Sequence, residues 1–187
     1  DINLVSIASY DEDHFGQIIN CLNTNKNIII EKPICLTQTE LKKIYKLAIT
    51  KKNLSLVSNL VLRANSKFKK IKNFINKKKK NIFYIEADYL WGRPKKFEGW
   101  RSKTKNYSII LGAAIHVIDL VMWILDRKPK NVYSVGNTLA TKKSKFKGNS
   151  FELIVLEFEN GLIVKITGNG PCKYEHFHEL KIFSEKY

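Results

Sequence analysis

Lys32 closes the short β-branched run Asn27-Ile28-Ile29-Ile30-Glu31 and precedes Pro33. The pattern predicts a strand there, and in open α/β sheets ligands bind at the carboxyl ends of the strands. Proline disfavours helix at the residue before it, so the chain turns at Lys32 and sends the side chain toward the crevice. An ammonium in that place can hydrogen-bond a hydroxyl or carbonyl, and desolvation can lower its pKa into a range useful for proton transfer. The competing reading is an exposed lysine, one of 29 in the chain, and on position alone that reading is the stronger.

His116 and Asp119 interrupt the apolar run Ile109 to Leu125, and a separation of three puts them on one helical face. Polar groups in so apolar a segment must find partners or face a cleft. A core histidine bonded to Asp119 and a proton-transferring histidine are both consistent with this spacing. No third ligand sits at helical spacing, which argues against a metal. His176 and His178 flank Phe177 and would share a strand face, and two histidines are a weak metal signal, so a pocket wall or an exposed face is favoured. Cys21, Cys35 and Cys172 form no C-x-x-C pair and leave one over, so neither a disulfide framework nor a zinc ribbon is indicated. No metal is expected.

The chain has 187 residues, 44% of them apolar, with 33 Lys plus Arg against 17 Asp plus Glu and a formal charge of +16. That apolar share is ordinary for a globular protein and excludes disorder as the default. The longest apolar run is too short and too polar in its middle for a membrane span. Of the basic residues 29 are Lys and only 4 are Arg, while Ile and Asn number 23 and 17, a bias expected of an AT-rich genome. Nucleic-acid faces favour Arg for bidentate contacts, so a solvated lysine coat is the better reading and a nucleic-acid partner is disfavoured. No signal peptide is visible, and the expected compartment is the cytoplasm.

The elements that must position these residues fall into two sets. Ile2 to Ala8 reads as a strand, and Asp13 to Leu22 as a helix with Phe15, Ile18, Ile19 and Leu22 on one face. The strand before Lys32 follows. A helix then opens at Thr37, which has Glu40 three residues on as a capping box. Leu54 to Leu60 reads as a third strand. The short, near-continuous apolar strands predict a parallel sheet with helices on both faces. After residue 62 come a Lys-rich helix from about Asn65 to Asn76 that runs into Lys77 to Lys80, a long strand from Asn81 to Trp91, a loop from Gly92 to Asn106 and the helix Ser108 to Leu125. Four further strands are expected: Asn131 to Leu139, Phe151 to Glu159, Leu162 to Gly168 and Phe177 to Phe183. Asn160-Gly161 is the signal of a type I′ hairpin. The expected domains are 1–61 and 62–187. Three strands make half of a doubly wound domain, so the chain is expected to be a fragment.

Taken in order, these pieces resemble the Gfo/Idh/MocA family of dehydrogenases, which includes glucose–fructose oxidoreductase and inositol dehydrogenase. Asn3 to Ser9, with His14 beyond, resembles the strand, loop and helix beneath the cofactor. Glu31-Lys32-Pro33 matches the family's most specific motif. Asn59 and Arg63 resemble the entry to the second domain. Trp100-Arg101, and Gly112 to Asp119 with Trp123, resemble the segment carrying the family's catalytic histidine.

The resemblance implies an α/β plus α+β fold: the C-terminal half of a Rossmann-like parallel sheet, then a dihydrodipicolinate-reductase-like domain with a mostly antiparallel sheet. It implies an oxidoreductase moving hydride between NAD or NADP and a sugar, cyclitol or nucleotide-sugar carbon, with Lys32 and His116 as catalytic residues. Ser9, His14, Glu31, Lys32 and Pro33 would bind cofactor. Arg63, Trp100, Arg101, His116 and Asp119 would bind substrate. A dimer or tetramer through the outer face of the antiparallel sheet is also implied. Two departures stand out. Many relatives have Asp where this chain has Gly112, and the glycine-rich phosphate loop is absent and expected before Asp1. Gly112 motivates a second reading, a non-catalytic relative that binds a sugar or a partner. The net charge and Lys77 to Lys80 motivate a third, a polyanion-binding module.

Overall fold

The computed structural model describes residues 2–78 and 81–185. The chain divides into two compact units, Asp1–Leu60 and Val61–Tyr187. In the first, β1 (Leu4–Ile7), β2 (Asn27–Ile30) and β3 (Leu56–Ser58) form a parallel sheet in sequential order. The helices α1 (His14–Asn23) and α2 (Gln38–Ala48) supply the crossovers. Ile18 and Leu22 of α1 and Ile44 of α2 share one core with Ile7, Ile28 and Ile30. Both helices therefore cover the same face, which corrects the expectation of helices on both faces. The opposite face carries Leu4, Ile29 and Val57, all exposed. In β2 burial alternates while every side chain from Ile28 to Ile30 is apolar, so sequence alone cannot reveal the alternation. The capping box forms as expected. The Thr37 hydroxyl accepts from the Glu40 N–H at 3.2 Å, and the Glu40 carboxylate accepts from the Thr37 N–H at 3.0 Å.

The second unit is a five-stranded sheet in the order β5-β6-β7-β4-β8. Its strands are β4 (Ile82–Leu90), β5 (Asn131–Asn137), β6 (Phe151–Glu157), β7 (Ile163–Asn169) and β8 (Phe177–Ser184). Only the β4–β7 pairing is parallel. Two helices accompany it, α3 (Ser66–Lys78) and α4 (Ile115–Leu125). The core joins Ile85, Ala87 and Tyr89 of β4 to Val117, Leu120, Val121 and Ile124 of α4. Alternate residues of β4, Tyr84, Glu86 and Asp88, lie on the outer face, where Lys165 and Lys181 pair with Glu86. Lys79 and Lys80 of the lysine run lie outside the described residues.

Three local expectations are corrected. The helix expected from Ser108 begins instead with a π-helical turn over Ile110–Ala114. The loop from Gly92 to Asn106 contains two short 3-10 turns, Pro94–Phe97 and Gly99–Ser102. The β6–β7 hairpin exists, but only Gly161 has positive φ (82°), so the turn is not type I′, which requires it at both central residues. The Phe158 N–H closes the loop by donating to the Leu162 carbonyl at 3.0 Å. Among the described residues no helix is long and apolar enough to cross a membrane.

Candidate functional site

In the first unit the candidate residues gather where β1 and β2 end. The Lys32–Pro33 peptide is cis, and Pro33 is buried. His14, the first residue of α1, is fully buried. Its Nδ1 lies 2.7 Å from the Pro33 carbonyl and its Nε2 lies 3.3 Å from the Ser9 carbonyl. A carbonyl only accepts, so the shorter contact fixes the proton on Nδ1. His14 thus ties the start of α1 to the turn at Lys32. Glu31 is braced separately: its carboxylate accepts from the Asn59 amide at 2.6 Å, and the Asn59 backbone N–H donates to the Ile30 carbonyl at 2.7 Å. The Ser9 hydroxyl donates to Gln17 at 2.8 Å. Lys32 is half-buried, its ammonium leaving a turn held from two sides.

In the second unit Asp119 and His116 each have a defined neighbour. Asp119 is engaged by Arg63, whose Nε donates to one carboxylate oxygen at 2.7 Å while a terminal nitrogen donates to the other. Arg63 comes from a 3-10 turn at Val61–Ala64 and holds Asp119 in a bidentate pair. His116 stacks on Tyr89, with ring centres 5.9 Å apart and planes 15° from parallel. His178 and His176 meet the same phenol edge-on, at 4.5 and 5.3 Å. Tyr89 pairs with His178 across the β4–β8 ladder, which places both on the face toward α4.

Sequence reasoning missed Tyr89. The alternation Ile85, Ala87, Tyr89 marks it as a core residue, but its role depends on the register to β8, which is not a local signal. Burial, then the neighbouring His176, holds His178 below the usual histidine range. Burial, then the charge of Arg93, does the same to His176. Both imidazoles are therefore neutral at pH 7, able to donate and accept. The Tyr89 phenol is pushed up by burial and stays protonated. Among the described residues no cluster of three or more metal-ligating side chains occurs.

Trp100 and Arg101 lie in the second 3-10 turn. The Arg101 guanidinium stacks on Trp100 at 4.1 Å, and its Nε donates to the Tyr107 hydroxyl at 3.1 Å. That hydroxyl also explains Gly112. A Cβ built on Gly112 would lie 2.4 Å from the Tyr107 hydroxyl oxygen and 2.9 Å from the ring carbon bearing it. Tyr107 is only 3% exposed and packed edge-on to Trp100 and Phe146, so it has little freedom to retreat. The phenol fills the space that a side chain at position 112 would need.

A parallel αβ unit followed by a mixed, mostly antiparallel sheet backed by helices is the architecture of a two-domain dehydrogenase of the Gfo/Idh/MocA kind. Residues 1–59 match the model of the oxidoreductase family with an NAD-binding Rossmann fold, and residues 68–186 match that of the GFO/IDH/MocA C-terminal domain. The chain belongs to this family. Its fold matches myo-inositol 2-dehydrogenase from Lactobacillus plantarum with a TM-score of 0.89 at 19% identity, over 99% of this chain and 56% of that one. Scyllo-inositol dehydrogenase from Lactobacillus casei, solved with NAD(H) and scyllo-inositol, gives 0.85 at 19% identity, over 100% and 56%. An inositol dehydrogenase homologue from Azotobacter vinelandii, solved with NADH and myo-inositol, gives 0.88 at 16% identity, over 98% and 49%. The chain thus spans about half the length of these structures, and the likeness is one of fold. Comparison with curated proteins finds no match.

Two measurements check this geometry. Gly112→Ala should destabilise the protein by about 1–3 kcal/mol through overpacking against Tyr107, measured by urea unfolding; an unchanged midpoint would mean that the phenol yields freely. The second concerns pH. A histidine whose folded pKa is depressed leaves the unfolded chain to take up the proton first. Its contribution is therefore complete above the unfolded value of about 6.5 and is lost as pH falls below it. His178→Gln should accordingly show a smaller drop in melting temperature than the parent between neutral and mildly acidic pH.

Proposed function

We propose that this chain serves an NAD(P)-dependent oxidoreductase that acts on a hydroxyl or carbonyl carbon of a sugar, cyclitol or nucleotide sugar, with Lys32 and His116 at the reacting centre. The observation that carries this reading is the Glu31-Lys32-Pro33 turn at the carboxyl edge of a parallel sheet, held by His14 on one side and Asn59 on the other. When bound, the nicotinamide cofactor supplies the hydride chemistry. The donor set at this edge suits its nicotinamide end: a hydroxyl at Ser9, a carboxylate at Glu31 and an ammonium at Lys32. Residues 1–60 contain a single glycine, Gly16, so a glycine-rich pyrophosphate cradle is not among them. In this reading 1–61 is the cofactor domain and 62–187 the substrate domain.

Each residue then has a task in its own unit. Lys32 donates to the reacting oxygen and stabilises negative charge as it develops there. His14 positions that lysine through Pro33. His116, oriented by Tyr89, exchanges the proton of the reacting hydroxyl. Arg63 holds Asp119 in place, and Trp100 and Arg101 present a flat, cationic surface to the substrate. The space of the family's usual aspartate is taken by Tyr107, which leaves His116 more of the proton work.

The test uses the full-length gene product with NAD and NADP and a panel of cyclitols, sugars and nucleotide sugars, followed by dihydronicotinamide absorbance. With a cognate substrate, Lys32→Ala and His116→Ala should each lose roughly 10²–10⁴-fold in turnover while folding normally. Near-normal turnover of Lys32→Ala would refute its assignment. Sugar binding without any nicotinamide change across the panel would favour the non-catalytic reading that Gly112 motivates. For assembly, the reading predicts a homo-oligomer through the outer face of the five-stranded sheet, where Tyr133, Val135, Ile163 and Phe183 are exposed. Val135→Glu should then reduce the sedimenting mass to that of a monomer, and an unaltered mass would sink this interface.

A further inference from the structure

Three cations crowd the segment after β4. The Lys96 ammonium lies 5.2 Å from the centre of the Trp91 ring, and the Arg101 guanidinium lies 5.4 Å from the same ring. Both side chains are half-buried, while Arg93 is exposed. Burial, then the charges of Arg101 and Arg93, holds Lys96 below the usual lysine range. His176, which meets Tyr89 edge-on, is hydrogen-bonded to the Trp91 backbone, so the cluster around Trp91 borders the imidazoles at Tyr89. Among the described residues, no carboxylate oxygen forms an ion pair within 4.0 Å with any of the three. The contrast with the rest of the unit is sharp: Lys165 and Lys181 meet Glu86, and Arg63 meets Asp119.

Like charges brought together and partly desolvated repel one another. The indole faces of Trp91 and Trp100 offset part of that repulsion, since a cation over an aromatic ring is attracted to its quadrupole. They supply no negative charge. An oxyanion would do so, accepting charge-assisted hydrogen bonds from the ammonium and bidentate ones from a guanidinium.

We infer that Arg93, Lys96 and Arg101 form an oxyanion subsite, so that the molecule bound beside His116 is a sugar bearing a carboxylate or a phosphate rather than a neutral polyol. The sugar part of that identity rests on the oxidoreductase reading; the oxyanion part rests on the cations alone. Two of the solved neighbours were instead crystallised with uncharged inositols.

Titration calorimetry of the full-length gene product with glucuronate, glucose 6-phosphate and glucose tests the inference, with tryptophan emission as a second reading at Trp91 and Trp100. At least one anionic sugar should bind roughly tenfold or more tightly than glucose, with a preference that weakens as salt rises. The tighter of the two identifies the anion, and inorganic phosphate should compete with it. Arg93→Gln and Lys96→Gln should each remove roughly tenfold of that affinity and leave glucose unaffected, whereas Lys96→Arg should retain it. Equal binding of glucose and both anionic sugars, no binding of either anionic sugar, or a preference that survives in both Gln variants would overturn the subsite. An intact preference without nicotinamide reduction would instead leave the subsite standing and remove the oxidoreductase reading.

Discussion

One buried hydrogen bond braces the turn that carries Lys32. The His14 imidazole, sealed from solvent, donates to the carbonyl of Pro33 at 2.7 Å. A carbonyl left unsatisfied in such a place costs about 1–3 kcal/mol, so the turn cannot relax cheaply. Because His14 also opens α1, this bond ties the helix to the turn after β2. The lysine leaves a backbone that is itself braced.

The second unit solves a comparable problem with rings. Tyr89 is buried in the sheet and presents its phenol to three imidazoles, setting their planes by stacking and edge contact. Tyr107 fixes its surroundings by exclusion, filling the volume in front of Gly112 and anchoring Arg101. Of the three imidazoles, His176 and His178 are held below the usual histidine range by burial.

Much of this architecture was legible in the sequence, for identifiable reasons. The capping box at Thr37 and the strand before Lys32 are local signals, and local signals survive folding. The Asn160-Gly161 hairpin was also legible, though its turn type was not, because Asn160 stays at negative φ. What escaped was non-local. Asp119 was three residues from His116 and an obvious partner for it, yet the carboxylate belongs to Arg63, 56 positions away. Tyr89 gave no sign of its importance because its partners come from β8 and α4. The one-sided covering of the parallel sheet was hidden because apolar residues occupy both of its faces.

That sheet has a consequence of its own. Leu4, Ile29 and Val57 are exposed apolar residues on the face that the helices leave uncovered. Exposed apolar area of this kind is a template for self-association. Excised as a separate polypeptide, Asp1–Leu60 would therefore tend toward aggregates, however regular its internal packing. Genetic dissection of this chain at the boundary between its units should expect poor yield from the amino-terminal piece for reasons unrelated to catalysis.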